Sequence, residues 1–195
     1  MKFTKIPESA FQELVLNAGV LLNTFNPASA SEEIPEENFI GATTGGLSFT
    51  ATPTYSDFGE DIDNCPKNMA ELKRLDTWDV KLSGTLVTAS AKSVKSTLGA
   101  ADVESDKITP RNVLKDEDFS DIWLVADYSD KNGEKNGGHV AIHMMKALST
   151  AGFQLKTSDK AKGQFAFEYT AHYTLATQDT PPFEIYVKTG TEEES

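Results

Sequence analysis

The chain has 195 residues, with 30 Asp and Glu against 18 Lys and Arg, so it carries a net charge of −12. That balance argues against binding nucleic acid through phosphates, or docking on an anionic membrane surface, because both need clustered Lys and Arg. Hydrophobic content of 38% and charged content of 25% are those of a globular chain, and the length suits a single domain with a real core. No apolar run approaches the ~18 residues of a membrane helix. Pro and Glu in "MKFTKIPESAFQELV" lead us to expect no secretion signal. A single cysteine, Cys65, excludes an internal disulfide and is compatible with synthesis in a reducing cytoplasm.

In chain order, Pro7 followed by Phe11, Leu14, Val15 and Ala18 has the spacing of a short amphipathic helix that Gly19 would end. "VLLNTF", Val20 to Phe25, reads as a strand stopped by Asn26-Pro27, and residues 27–40 read as an acidic loop. From Gly41 to residue 76 the chain opens like a strand, but it is then acidic and punctuated by Gly and Pro, which predicts a long loop. In "WDVKLSGTL", Trp78, Val80, Leu82 and Leu86 alternate with polar residues as in a half-buried strand.

Ser90 is a plausible N-cap for a helix over 90–101 whose stripe is Ala91, Val94, Leu98 and Ala101. "DIWLVADY", Asp121 to Tyr128, predicts a strand joined through "DKNGEKNGG" to "HVAIHMMKAL", with Val140, Ile142, Met144 and Leu148 inward. "FQLKT" then leads through "SDKAKG" to a long strand with Phe165, Phe167, Tyr169, Ala171, Tyr173 and Leu175 on one face and Glu168 on the other. The reading is mainly β (α+β): an antiparallel sandwich or barrel with one packed helix, a long extended loop and terminal extensions. Its parts are 1–40, the loop 41–76, the core 77–187 and an acidic tail 188–195.

Little in this pattern points to chemistry. His139, His143 and His172 all fall on polar strand faces, but strand positions i and i+4 lie ~13 Å apart, too far to share one zinc ion. They are expected to be solvated. Asp57, Glu60, Asp61 and Asp63 resemble a calcium loop only in part, because the central Gly and distal Glu of that pattern are missing. There is no G-x-S-x-G, phosphate-binding loop or dinucleotide fingerprint. The expectation is a protein that is not an enzyme, with no catalytic or metal-ligating residues and no cofactor.

One resemblance is specific. "GATTGGLSFTATPTYSDFGEDIDN…ELKRLDTWDVKLSGTLVT", continued by "STLGAADV", "ITPRNVL", "DIWLVADYSD", the stretch from "GGHVAIHMMKAL" to "FAFEYTAHYTL", and "PPFEIYV", resembles the major tail protein, or tail tube protein, of long-tailed bacteriophages of Gram-positive hosts. It covers roughly Gly41 to Val187 and rests on the order of segments. Residues Ser29 to Asn38 and the terminal "KTGTEEES" lie outside it.

The resemblance implies a β-sandwich with a flanking helix, six copies in a ring, and rings stacked into a hollow tube, with loop 41–76 serving assembly. It implies self-association, tape-measure and tail terminator or tip proteins as partners, and a virion location after synthesis in the bacterial cytoplasm. DNA would pass without specific binding, through a ring carrying about −72 charges. Phe49, Tyr55, Phe58 and Asp61 are then candidates for contacts between subunits, and Glu168 for the lumen. The aromatics would otherwise cover the domain's own sheet, and Glu168 would be an ordinary surface residue. The alternatives are a tube of a contractile tail or phage-tail-like bacteriocin, or a monomeric β-sandwich binding module.

Overall fold

A computed structural model of the protein describes residues 14–15, 17–29, 34–129 and 135–188. The described residues are mostly β, with antiparallel sheets and one α-helix among them. One layer holds β1 (Leu14–Val15), β2 (Val20–Leu22), β7 (Ser120–Ser129), β8 (Lys135–Ser149) and β11 (Phe183–Lys188). In it β7 pairs with β1, β2 and β8, and β8 pairs with β11. The other layer holds β3 (Thr43–Asp57), β4 (Lys73–Leu86), β9 (Gln154–Lys156) and β10 (Gln164–Thr170). There β4 lies between β3 and β10, and β9 pairs with β10. A separate hairpin, β5 (Ala101–Glu104) with β6 (Lys107–Pro110), follows the helix α1 (Ala91–Leu98).

Strand β8 belongs to both layers. Residues 139–144 pair with β7 and β11, whereas Leu148 and Ser149 pair with Thr170 and Tyr169 of β10. The turn between the two roles falls at Lys146, whose φ is 48°. A strand that changes sheets through such a bend makes a corner of a sandwich.

Between the layers, alternation places the apolar side chains in one core. Val80, Leu82 and Leu86 of β4 and Phe167 and Tyr169 of β10 meet Leu21, Ile122, Met144 and Ala147 from the facing layer. Burial of each large side chain is worth ~1.5–3 kcal/mol. Gly84 is small because its neighbours demand it: a Cβ there would lie 2.6 Å from Leu47 Cδ2 and 2.9 Å from Phe167 Cζ. A second cluster of Leu22, Trp123, Val125 and Ala141 is covered by Val20, Phe25 and Ile34, so the layer containing β7 has both faces packed.

Several expectations are corrected. Leu14 and Val15 are strand residues paired with Ser129 and Tyr128, not helix; the rest of that predicted helix up to residue 13 lies outside the described residues. The acidic tail is outside them as well, from residue 189. Residues 43–57 and 73–76, read as loop, form paired strand, because β4 supplies a ladder that β3's own composition does not announce. Gly45 and Gly46, at φ 77° and 83°, supply the bulge where that ladder shifts register.

The helix ends at Leu98, before Gly99 at φ 76°, and it buries Ser93 and Thr97 rather than an apolar stripe. Both hydroxyls are satisfied locally, Ser93 in a capping box with Ser90 and Thr97 by donating to Val94 O at 3.0 Å. In β8 Met144 is buried as expected, but Val140, Ile142 and Leu148 are half-buried, while His139, Ala141 and Ala147 are buried. Strand β10 stops at Thr170, and Leu175 is 96% exposed.

Candidate interaction surface on a projecting arm

Strands β3 and β4 run past the rest of their layer. The ladder of β10 ends level with Lys81, while β3 and β4 stay paired down to Asp57 and Lys73. The last part is a two-stranded arm closed by residues 58–72. Pro53 marks the outer edge. Its partner Trp78 gives its N–H to the Tyr173 hydroxyl, at 3.0 Å on the other side of β4, so the missing N–H of Pro53 faces the open edge.

The tip is a built structure. The Asp57 carboxylate accepts the N–H of Gly59 and of Asn68, both at 2.9 Å. Those two bonds, with Lys73 and Lys67 helping, hold its pKa below the usual carboxylate range. Phe58 N–H reaches Leu72 O at 3.0 Å, and Lys73 Nζ reaches Asn68 Oδ1 at 2.9 Å. Cys65 Sγ lies 3.4 Å from Met69 Sδ inside this turn. Asp57 therefore has a structural role in the segment that invited a calcium reading.

On this frame the arm displays apolar side chains to solvent. Tyr55 is 53% exposed, Phe58 57% and Ile62 52%, and Leu75 and Met69 are exposed as well. Tyr55 and Leu75 are register partners, and Lys73 Nζ sits 5.5 Å over the Tyr55 ring. A trough of about 550 Å³ runs between Tyr55, Phe58, Lys67 and Lys73. Concentrated apolar exposure at the end of an arm is what an interaction surface looks like before its partner arrives.

Of the sequence candidates, Tyr55, Phe58 and Asp61 lie on the arm and its tip. Phe49 does not. It is half-buried against the main core, with its ring 6.0 Å from that of Phe183, and so covers its own domain. Ile62, Met69 and Leu75 were missed: the hairpin register sets Leu75 beside Tyr55, and the fold of the closing turn presents Ile62 and Met69.

Glu168 lies on the outer face of the β3–β4–β10 layer, half-buried. It accepts from Thr150 Oγ1 at 3.2 Å and lies 4.0 Å from Lys81 Nζ. The register places it with Ser48, Thr50, Thr52, Thr77, Asp79, Lys81, Ser83 and Thr170, a face on which hydroxyls outnumber charges.

The histidines are not the solvated set that alternation suggests. His139 is 4% exposed, edge-on to Phe25 at 5.7 Å, and its Nε2 is buried without a hydrogen-bond partner. Burial lowers its pKa, as does Lys188, with Asp127 opposing. His143 stacks on Trp123 at 4.1 Å, with Asp121 at 3.2 Å and Glu184 at 3.6 Å. His172 lies edge-on to Phe119. Among the described residues, no group of three or more His, Cys, Asp or Glu is arranged to hold a metal ion.

A cleft of about 200 Å³ lies between α1 and the layers, lined by Asn23, Lys95, Ser96, Asp118 and Tyr169 among others. The Tyr169 hydroxyl bonds Ser96 Oγ at 2.7 Å, and burial pushes its pKa to about 12. It is thus a neutral hydrogen-bonding group at physiological pH, not a base. Compared with models of known protein families and with curated proteins, the chain matches none.

Proposed function

We propose that the chain is a tail tube subunit, a structural protein that joins copies of itself into rings and stacks the rings into a hollow tube. The observation that carries the reading is the arm, which leaves the sandwich and ends in an ordered tip with Tyr55, Phe58 and Ile62 exposed. Such a surface gains from burial only when another molecule covers it. The hydroxyl-rich face around Glu168 supports a second element of the reading, a wall that water and DNA can pass. Its side chains offer hydrogen bonds but few cations, and the net charge of −12 repels a polyphosphate. Six-membered rings, tape-measure and tail-tip partners and a virion location are what the resemblance adds to the proposal.

The test is negative-stain electron microscopy of concentrated protein at low and high salt, beside a variant in which residues 58–72 are replaced by Asn-Gly. Hollow filaments are expected from the parent protein. The variant is expected to stay folded and not to polymerise. Unchanged tubes from the variant would remove the arm from assembly. A monomer at every concentration would favour a binding module with Tyr55 and Phe58 as its platform.

A further inference from the structure

We propose that the arm tip of one copy docks on the β9–β10 hairpin of another. This rests on the tube reading and adds the surface that receives the arm.

Three observations lead to it. First, the two features lie at opposite ends of one sheet. Strand β4 runs from Lys73 at the arm to Leu86, which is level with Phe165 of β10, and Phe165 is level with Leu155 of β9. The turn at residues 157–163 therefore closes the end away from the arm, about 43 Å from Lys73 at ~3.3 Å per residue. Second, both ends expose apolar side chains: Tyr55, Phe58, Ile62 and Met69 on the tip, Phe153 and Leu155 beside the hairpin.

Third, their charges are opposite. Residues 57–74 carry five carboxylates against Lys67, Lys73 and Arg74, which leaves the tip net negative. Residues 153–165 carry Lys156, Lys160 and Lys162 against one acid, Asp159, in a strongly acidic chain. Charge complementarity of this kind selects the partner and its orientation, while the apolar centre supplies the burial.

Complementary surfaces at opposite ends give a head-to-tail contact that does not close on itself and so propagates along an axis. The acid-rich tip then has a place to go. Its charge is neutralised by the next copy's lysines rather than repelled by the next copy's acids.

Charge reversal tests the pairing. Lys156→Glu with Lys162→Glu changes exposed side chains and spares Lys160, whose φ of 55° makes it a poorer choice. Asp61→Lys with Asp63→Lys reverses the tip and spares the structural Asp57. Each double variant is expected to melt as the parent does and to lose polymerised mass at least about tenfold in a sedimentation assay, and the combined variant is expected to regain it.

Filaments that persist with the hairpin reversed, or no recovery in the combined variant, would overturn this docking and leave the tube reading standing. A parent protein that never assembles would overturn both. Cys65 offers a second readout. With Ala161→Cys, oxidised filaments are expected to give a ladder of covalent oligomers that Cys65→Ser abolishes; a ladder equally present without Cys65 counts against the contact.

Discussion

Asp121 holds Lys146 at the point where β8 passes from one layer to the other. Its Oδ1 accepts the Lys146 N–H at 3.0 Å while its Oδ2 lies 3.2 Å from His143 Nε2. On the far side, His172 Nδ1 is 3.2 Å from Lys146 O. The left-handed backbone at Lys146 is thus fixed from both directions, by residues of β7 and of the segment after β10. Because the Lys146 side chain is exposed, Lys146→Gly loses little packing and relieves the backbone; we expect unchanged or slightly raised stability. Lys146→Val, a β-branched residue at that φ, should cost ~1–3 kcal/mol, and Asp121→Ala ~1 kcal/mol, both read by urea unfolding.

Mild acid should weaken the protein through His139. Its folded-state pKa lies below the ordinary value of ~6.5, so the folded protein refuses a proton that the unfolded chain accepts. The stability present above that value is lost as pH falls from about 6.5 through the folded pKa. Thermal melts between about pH 7.5 and pH 5 are expected to show a falling midpoint, and His139→Gln should flatten that slope. An unchanged slope in the variant would assign the effect to other groups. Asp57 and Asp102, whose pKa values are lowered, act in the same direction only at lower pH, near the ordinary carboxylate range.

The loop after β6 depends on one buried pair. Arg111 Nη2 lies 2.6 Å from Asp118 Oδ1, the Asp118 side chain is fully buried, and its Oδ2 accepts the Lys115 N–H at 2.8 Å. Removing the acid takes away the arginine's buried counter-charge and leaves it Asp102, at 2.9 Å from its Nε, and the Val113 carbonyl, at 2.7 Å from its Nη1. Asp118→Ala should cost ~3 kcal/mol, whereas Lys115→Ala, at the exposed and solvent-screened rim of the network, should cost clearly less. Equal losses from the two would contradict this ranking.

The parts of the fold that were legible are those where alternation and burial coincide. Val80, Leu82 and Leu86, and likewise Phe167 and Tyr169, announce their strands because one sheet face is apolar and the other wet. Strand β3 has only Leu47, Phe49 and Ala51 on its inner face among Thr, Ser and Gly, so its strand character comes from pairing with β4 rather than from its own pattern. Ser93 and Thr97 escaped because a hydroxyl bonded within its own helix can be buried at little cost.

His139 was misread for a different reason. Its polar ring sits on a face that residues of a distant segment, Phe25 above all, close over. At the candidate site, Tyr55 and Phe58 stood out as aromatics in an acidic stretch. The hairpin register that gathers Leu75 beside Tyr55, and the tip fold that brings in Met69, are long-range facts that no local spacing encodes.

The shared strand also governs how the molecule bears load. Because β8 is hydrogen-bonded into both layers, a pull on the arm travels from β4 to β10 and then, through an unbroken backbone, to β7 and β11. The layers cannot shear apart by sliding over a greasy interface; covalent chain and several ladders must yield together. A molecule wired this way behaves as a stiff link, passing tension from one end of the sheet to the other.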